Sequence, residues 1–218
     1  MRTITVKGVG TASTPPDLTV ISLHIVEKAK EYVDSVNGAN ERIEKLQNAV
    51  AKVGFAKDDL KTLSFNARTN YENYRDEDNL MRQRFAGYAC EYRLKLSMDF
   101  DNKRLSETLE ALANSGANAE QSIAFTVKEP EKVSAQLLKA ATENAREKAE
   151  VLCAASGVTL GELVNIDYNW NDISIVSASV YCERERGIAA AVPMAAMPEF
   201  EPDDIKSSDT ATFVWEIR

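Results

Sequence analysis

Residues 131–163, EKVSAQLLKAATENAREKAEVLCAASGVTLGEL, constrain this chain most, because they read as one long amphipathic helix with a defined end. Pro130 suits the first helical position, where a missing N–H costs nothing. Glu131 then places negative charge in the first turn, where it complements the helix dipole. Val133, Leu137, Ala141, Ala145, Ala149 and Leu152 recur at three- and four-residue steps and share one face. Lys139–Glu143 and Arg146–Glu150 are opposite in sign and four apart, worth a few tenths of a kcal/mol each. The apolar stripe is largely alanine, so the helix can lie close to whatever it covers. Gly157 ends the pattern, with Val158 placed for an apolar contact past the cap.

The same design occurs twice more. A helix over 31–53, with Val36, Ile43, Leu46, Val50 and Val53 as its stripe, stops at Gly54. Another over 101–115, with Leu105, Leu109 and Leu112, stops at Gly116. Each runs on into strand sequence. Further strands are predicted over 3–9, 18–29, 119–129, 160–170 and 210–218. Segments 60–74 and 81–100 form a long β-hairpin joined by the charged turn 75–80. Residues 8–17, GVGTASTPPD, carry glycine and proline punctuation and predict a turn or kinked link. The glycine spacing is not that of a phosphate loop, and no Lys-Ser/Thr follows.

Residues 171–204 lack periodicity. They hold the balanced run Glu183-Arg184-Glu185-Arg186, then an alanine, methionine and proline segment to Pro198. The expectation is an irregular loop or arm, with Met194 and Met197 as candidate docking residues.

The 218 residues suffice for one large domain or two small ones, and the expectation is a single domain over 1–218. A net charge of −8 disfavours nucleic acid and anionic membrane as main partners, since both need a basic face. No apolar run approaches the ~20 residues of a transmembrane span. The opening residues, MRTITVKGVG, contain no apolar leader core. The chain as written is therefore expected in the cytoplasm, or in a secreted, periplasmic or cell-surface setting if a leader has been removed.

No catalytic, cofactor-binding or metal-ligating constellation emerges. Cys90, Cys153 and Cys182 share no ligand spacing, and an odd number argues against a pure disulfide framework. Cys90 and Cys153 read as core residues. Cys182, in the irregular region, is the candidate reactive thiol. His24 is the sole histidine, sits in a strand and has no partner evident from sequence. Asp58-Asp59 read as a solvated turn.

The hairpin is the richest surface. Tyr71, Tyr74, Phe85, Tyr88 and Tyr92 alternate with Arg68, Arg75, Arg82, Arg84 and Arg93. Such a mixture makes a subunit interface or, more blandly, a ladder of cross-strand pairs. Tyr71, Tyr74, Arg75, Arg82 and Phe85, with Met194 and Met197, are the candidate interface residues.

Several short motifs, in order, resemble those of the SIMPL domain family. They are Val6-Lys7-Gly8-Val9-Gly10 with Pro16-Asp17, Asp59-Leu60-Lys61-Thr62 with Tyr71, and Gly87-Tyr88 with Leu94 and Leu96. Gly116-Ala117-Asn118 with Ile123 and Phe125 follows, then Ala141, Ala145-Arg146, Lys148-Ala149-Glu150, Leu152, Gly157 and Leu160-Gly161. The resemblance spans nearly the whole chain. It departs where members carry a leader peptide, and before the last strand, where Glu201-Pro202-Asp203-Asp204 replaces a Pro-Gly-Glu type turn. It implies an α+β fold of β-α-β-β-type units, with three helices on a mixed or mostly antiparallel sheet. It also implies self-assembly, no established enzymatic activity, and roles tied to stress tolerance and the envelope.

The leading expectation is a non-enzymatic, homo-oligomeric scaffold without a cofactor. A protein- or ligand-binding module using the 187–201 arm is the second. A thiol redox or hydrolytic enzyme is the third.

Overall fold

The computed structural model describes residues 2–168, 175, 180–182 and 200–218. The elements run β1 (Thr3–Thr14), β2 (Leu18–Ala29), α1 (Tyr32–Lys52), β3 (Lys61–Arg75), β4 (Met81–Asp99), α2 (Asn102–Ala113), β5 (Glu120–Thr126), α3 (Pro130–Ala155), β6 (Leu160–Asp167), β7 (Val180–Cys182) and β8 (Ile205–Ile217). The strands fall into a three-stranded sheet and a five-stranded sheet, and the class is α+β. The chain divides into two compact units, each with its own sheet, α3 lying in the first and α1 and α2 in the second.

In the first unit, residues 1–17, 126–177 and 202–218, β8 lies between β1 and β6 and is antiparallel to both. Alternate residues of β8, among them Ala211, Phe213 and Trp215, are buried with Val6, Ala145 and Ala149. The Phe213 and Trp215 rings stack with centroids 5.5 Å apart. Val127, Val133, Leu137, Ile175 and Ile205 form a second buried cluster.

Here the structure corrects the reading of residues 8–17. β1 does not bend at its glycines but runs straight through them, paired with β8 from Thr3 to Thr14. The physical reason is α3. A β-carbon on Gly8 would stand 2.0 Å from the Ala141 carbonyl oxygen, and one on Gly10 would stand 1.9 Å from that of Leu137. The glycines exist so that the helix backbone can touch the strand backbone. The alanine stripe is the complementary half: Ala141, Ala145 and Ala149 are fully buried. α3 also closes the outer edge of β1. The Asn144 side chain accepts from the Val9 N–H at 3.1 Å, and Lys148 Nζ donates to the Lys7 carbonyl at 3.3 Å.

In the second unit, residues 18–125 and 178–201, the strand order is β3-β4-β2-β5-β7. The elements from β2 to β5 run β-α-β-β-α-β with β4 inserted between β2 and β3, which is a split β-α-β arrangement. β2 alternates cleanly. Thr19, Ile21, Leu23 and Ile25 are buried, and Leu18, Val20, Ser22, His24 and Val26 take the other face. The buried face packs with Leu46 and Val50 of α1, Leu94 and Leu96 of β4, and Leu105, Leu109 and Leu112 of α2. Asp101 caps α2 by accepting from the Arg104 N–H at 2.7 Å. Arg42 of α1 ties this unit together. Its guanidinium donates to the carbonyls of Ala117, Val26 and Asn118 at 2.6, 2.8 and 2.7 Å and to the Glu27 carboxylate at 2.9 Å. Asn118 holds a left-handed φ of 51° there, which accounts for the Gly-Ala-Asn motif.

Two expectations around the irregular arm change. Val180–Cys182 is a short strand pairing with Gln121–Ile123 of β5. The final strand begins at Ile205, five residues before the predicted 210, because residues 205–210 alternate in burial although they are mostly polar. A polar half-strand carries no apolar alternation to read; its pairing with Thr14–Val9 of β1 makes it a strand. Most of the arm, Met194 and Met197 included, lies outside the described residues.

Candidate functional site

β2 ends opposite Tyr88, at the pair Ala29↔Tyr88. Beyond that point β3 and β4 pair only with each other, out to Arg75↔Met81. The result is a two-stranded ribbon that continues past the sheet. Its root is a register shift between Asn70 and Tyr71 beside Gly87. Gly87 has φ of 123°, and a β-carbon there would stand 2.1 Å from the Ala29 carbonyl oxygen. The bulge re-aims the ribbon and changes which residues share a face.

The register sorts the candidate residues. Tyr71 faces Phe85, Asn73 faces Gln83 and Arg75 faces Met81, so these six share one side. Glu72 faces Arg84 and Tyr74 faces Arg82 on the other. Tyr71, Arg75 and Phe85 are thus together, and Tyr74 and Arg82 are apart from them.

The two sides differ chemically. On the second, Arg84 pairs with Glu72 and lies over the Tyr74 ring at 5.5 Å, while Arg82 pairs with Asp76. These arginines are satisfied within the hairpin. On the first side a row of edge-to-face rings runs from α1 outward: Tyr32 to Tyr88 at 5.8 Å, Tyr88 to Phe85 at 5.5 Å, Phe85 to Tyr71 at 6.0 Å. Tyr71, Phe85 and Met81 are each more than half exposed. The Arg75 guanidinium, the one charged group among these six, turns back to donate to Asn79 Oδ1 at 2.8 Å.

The turn itself is built on Asp76. Its carboxylate accepts from the Asp78 and Leu80 N–H groups at 3.0 and 2.9 Å and from Arg82. The Leu80 backbone bond above all, then Arg82, holds this carboxyl below the usual aspartate range.

Cys90 and Cys153 are buried free thiols, and burial, with Glu27 nearby, pushes the Cys90 thiol up. Cys182 lies in β7. Asp59 caps its own turn, accepting from the Ala56 N–H at 2.9 Å. His24 does have partners, the carboxylates of Glu91 and Glu120, which sequence reasoning missed. Its parity within β2 is legible, but the order of strands around it is not. Among the described residues no group of His, Cys, Asp and Glu is arranged to hold a metal ion, and no helix is long and apolar enough to cross a membrane.

Fold and ribbon together define a two-unit α+β protein with a projecting, aromatic-faced hairpin. The chain belongs to the SIMPL family, described as a protein of unknown function (DUF541), whose profile matches residues 4–215. It is 28% identical over 163 residues to the 26 kDa periplasmic immunogenic protein of Brucella melitensis, covering 75% of this chain and 65% of that one. The protein of the same name from Brucella abortus is 27% identical over the same lengths. The chain thus spans 65% of the length of these two relatives. The uncharacterized protein YggE of Escherichia coli is 21% identical over 214 residues, covering 98% of this chain and 82% of that one.

Proposed function

We propose that this protein is a non-enzymatic, self-associating structural component of the bacterial cell envelope, and that copies meet through the aromatic side of the hairpin ribbon. The observation that carries the reading is the sorting of the ribbon. One side pairs its arginines with Glu72 and Asp76, and the other leaves Tyr71, Phe85 and Met81 exposed in a row with Arg75 as its single charged member. Aromatic and methionine side chains with little charge are the composition of an interface centre. The periplasmic names of the Brucella relatives favour an envelope setting over the cytoplasm. In this reading residues 1–218 are a single SIMPL domain, and the unit of residues 18–125 and 178–201 carries the ribbon.

The test is native mass by size exclusion with light scattering at several concentrations. The intact chain runs as a concentration-independent oligomer, and a chain shortened by residues 73–80 runs at lower mass with unchanged circular dichroism. An intact chain that is monomeric at all concentrations overturns the proposal.

A further inference from the structure

His24 stands on the face of β2 opposite the helices, and both of its ring nitrogens are occupied. Nε2 is 2.8 Å from Glu91 Oε1 of β4, and Nδ1 is 3.1 Å from Glu120 Oε2 of β5. The surrounding charges on this face are identifiable. Arg93 of β4 is the cross-strand neighbour of His24, Lys95 lies two pairs further along opposite Ser22, and Arg68 reaches over from β3. Glu91 is the hub. Arg93 lies 3.6 Å and Arg68 3.9 Å from its two oxygens. The hydrogen bond from His24, ahead of the two arginines, holds its carboxyl below the usual glutamate range.

The proton inventory of imidazole decides what this arrangement can do. A neutral ring has one N–H donor and one lone pair; only the imidazolium donates from both nitrogens. A carboxylate accepts and cannot donate. Two carboxylates at hydrogen-bond distance, one on each nitrogen, are therefore both satisfied only when the ring carries both protons. When one proton leaves, a lone pair faces a carboxylate and that side must open.

We propose that His24 is a proton-operated clip across three strands: doubly protonated it ties β2 to Glu91 of β4 and Glu120 of β5 at once, and loss of one proton releases Glu120. The asymmetry of the carboxylates chooses the side. The Glu91 side chain is only 17% exposed and is held by two arginines, so it keeps the remaining N–H. The Glu120 side chain is 79% exposed and swings into solvent at little cost. The release falls on the β5–β7 side of the sheet. In a chain with a single histidine, no other side chain has an ordinary titration range in mildly acidic water. The clip acts on β5 alone and is independent of the hairpin interface.

The experiment compares the intact chain with the Glu120→Gln variant. The substitution keeps the side chain's size at an exposed position and leaves the fold alone. Thermal midpoints are measured at about pH 5.5 and about pH 8.5, either side of histidine's ordinary value near 6.5. Glutamate is ionised at both. The variant should melt about 1–3 °C below the intact chain at the lower pH, the scale of an exposed ion pair in a chain of this length. It should match the intact chain at the higher pH. A second variant, His24→Gln, should abolish the difference between the two pH values. An equal gap at both pH values, or no gap at the lower one, overturns the clip.

Discussion

Gly8 of β1 lies directly against the Ala141 carbonyl of α3: a β-carbon at Gly8 would stand 2.0 Å from that oxygen and 2.9 Å from the Ala145 β-carbon. No side-chain rotation relieves such a contact, because the obstacle is helix backbone. Strand and helix must separate, and Ala145 and Ala149, fully buried in the same seam, lose their packing. Gly8→Ala should cost about 3 kcal/mol, the upper end for an overpacked core. It should lower the thermal midpoint by about 6–12 °C. A variant as stable as the parent would mean that α3 does not lie this close to β1.

The two sides of the hairpin ribbon should respond differently to substitution. Tyr71→Ser with Phe85→Ser removes the exposed row. The oligomer mass seen by light scattering should fall, while the thermal midpoint of the monomer changes by less than about 2 °C, as expected of surface positions. Tyr74→Ser with Arg82→Ser alters the opposite side and should leave the mass unchanged. The reverse pattern would assign the interface to the charged side.

Arg42 should be among the most costly surface-derived cations to remove. Its side chain is 17% exposed and donates to three carbonyls and one carboxylate. Arg42→Ala leaves those acceptors short of a donor and should destabilise by about 3 kcal/mol in chemical denaturation. Arg42→Lys should recover less than half of this, because a single ammonium cannot reach the divergent carbonyls that a planar fork spans. Full rescue by lysine would reduce the role to charge alone.

The hairpin turn should loosen in acid. Asp76 is held below the ordinary aspartate range by the Leu80 and Asp78 N–H groups and by Arg82. A carboxyl with a depressed folded value stabilises above the unfolded value, about 3.9, and loses that contribution as pH falls through the folded one. The carboxyl carbon of Asp76, followed by NMR, should therefore titrate below those of the exposed aspartates. A midpoint at or above about 3.9 would show that the turn is not built on this side chain.

The hairpin was legible because its signals are local. Strands predicted over 60–74 and 81–100 are Lys61–Arg75 and Met81–Asp99, with the turn where a run of charge interrupts both. The helices were legible for the same reason. Three periodic stripes ending at Gly54, Gly116 and Gly157 lead to α1, α2 and α3, and each of these glycines holds a left-handed φ. The continuity of the aromatic row from the ribbon to α1 was not legible, because one register shift beside Gly87 changes which residues of β4 share a side. Phe85 and Tyr88, three apart, would fall on opposite sides of an unbroken strand, yet their rings meet at 5.5 Å because the shift puts them on one side.

By itself, the sequence determined the number and order of helices, the long hairpin, and a helix so rich in alanine that it had to lie close to its partner. Propensity, capping and periodicity act over one or two turns of chain, so they are written in neighbouring residues. Tertiary structure alone decided that Gly8 and Gly10 belong inside a strand, because the reason for them is a helix more than 120 residues away. It decided likewise that the strands form two sheets and that His24 meets Glu91 and Glu120. Each of these depends on which strands become neighbours, and strand order is set by the burial of whole faces.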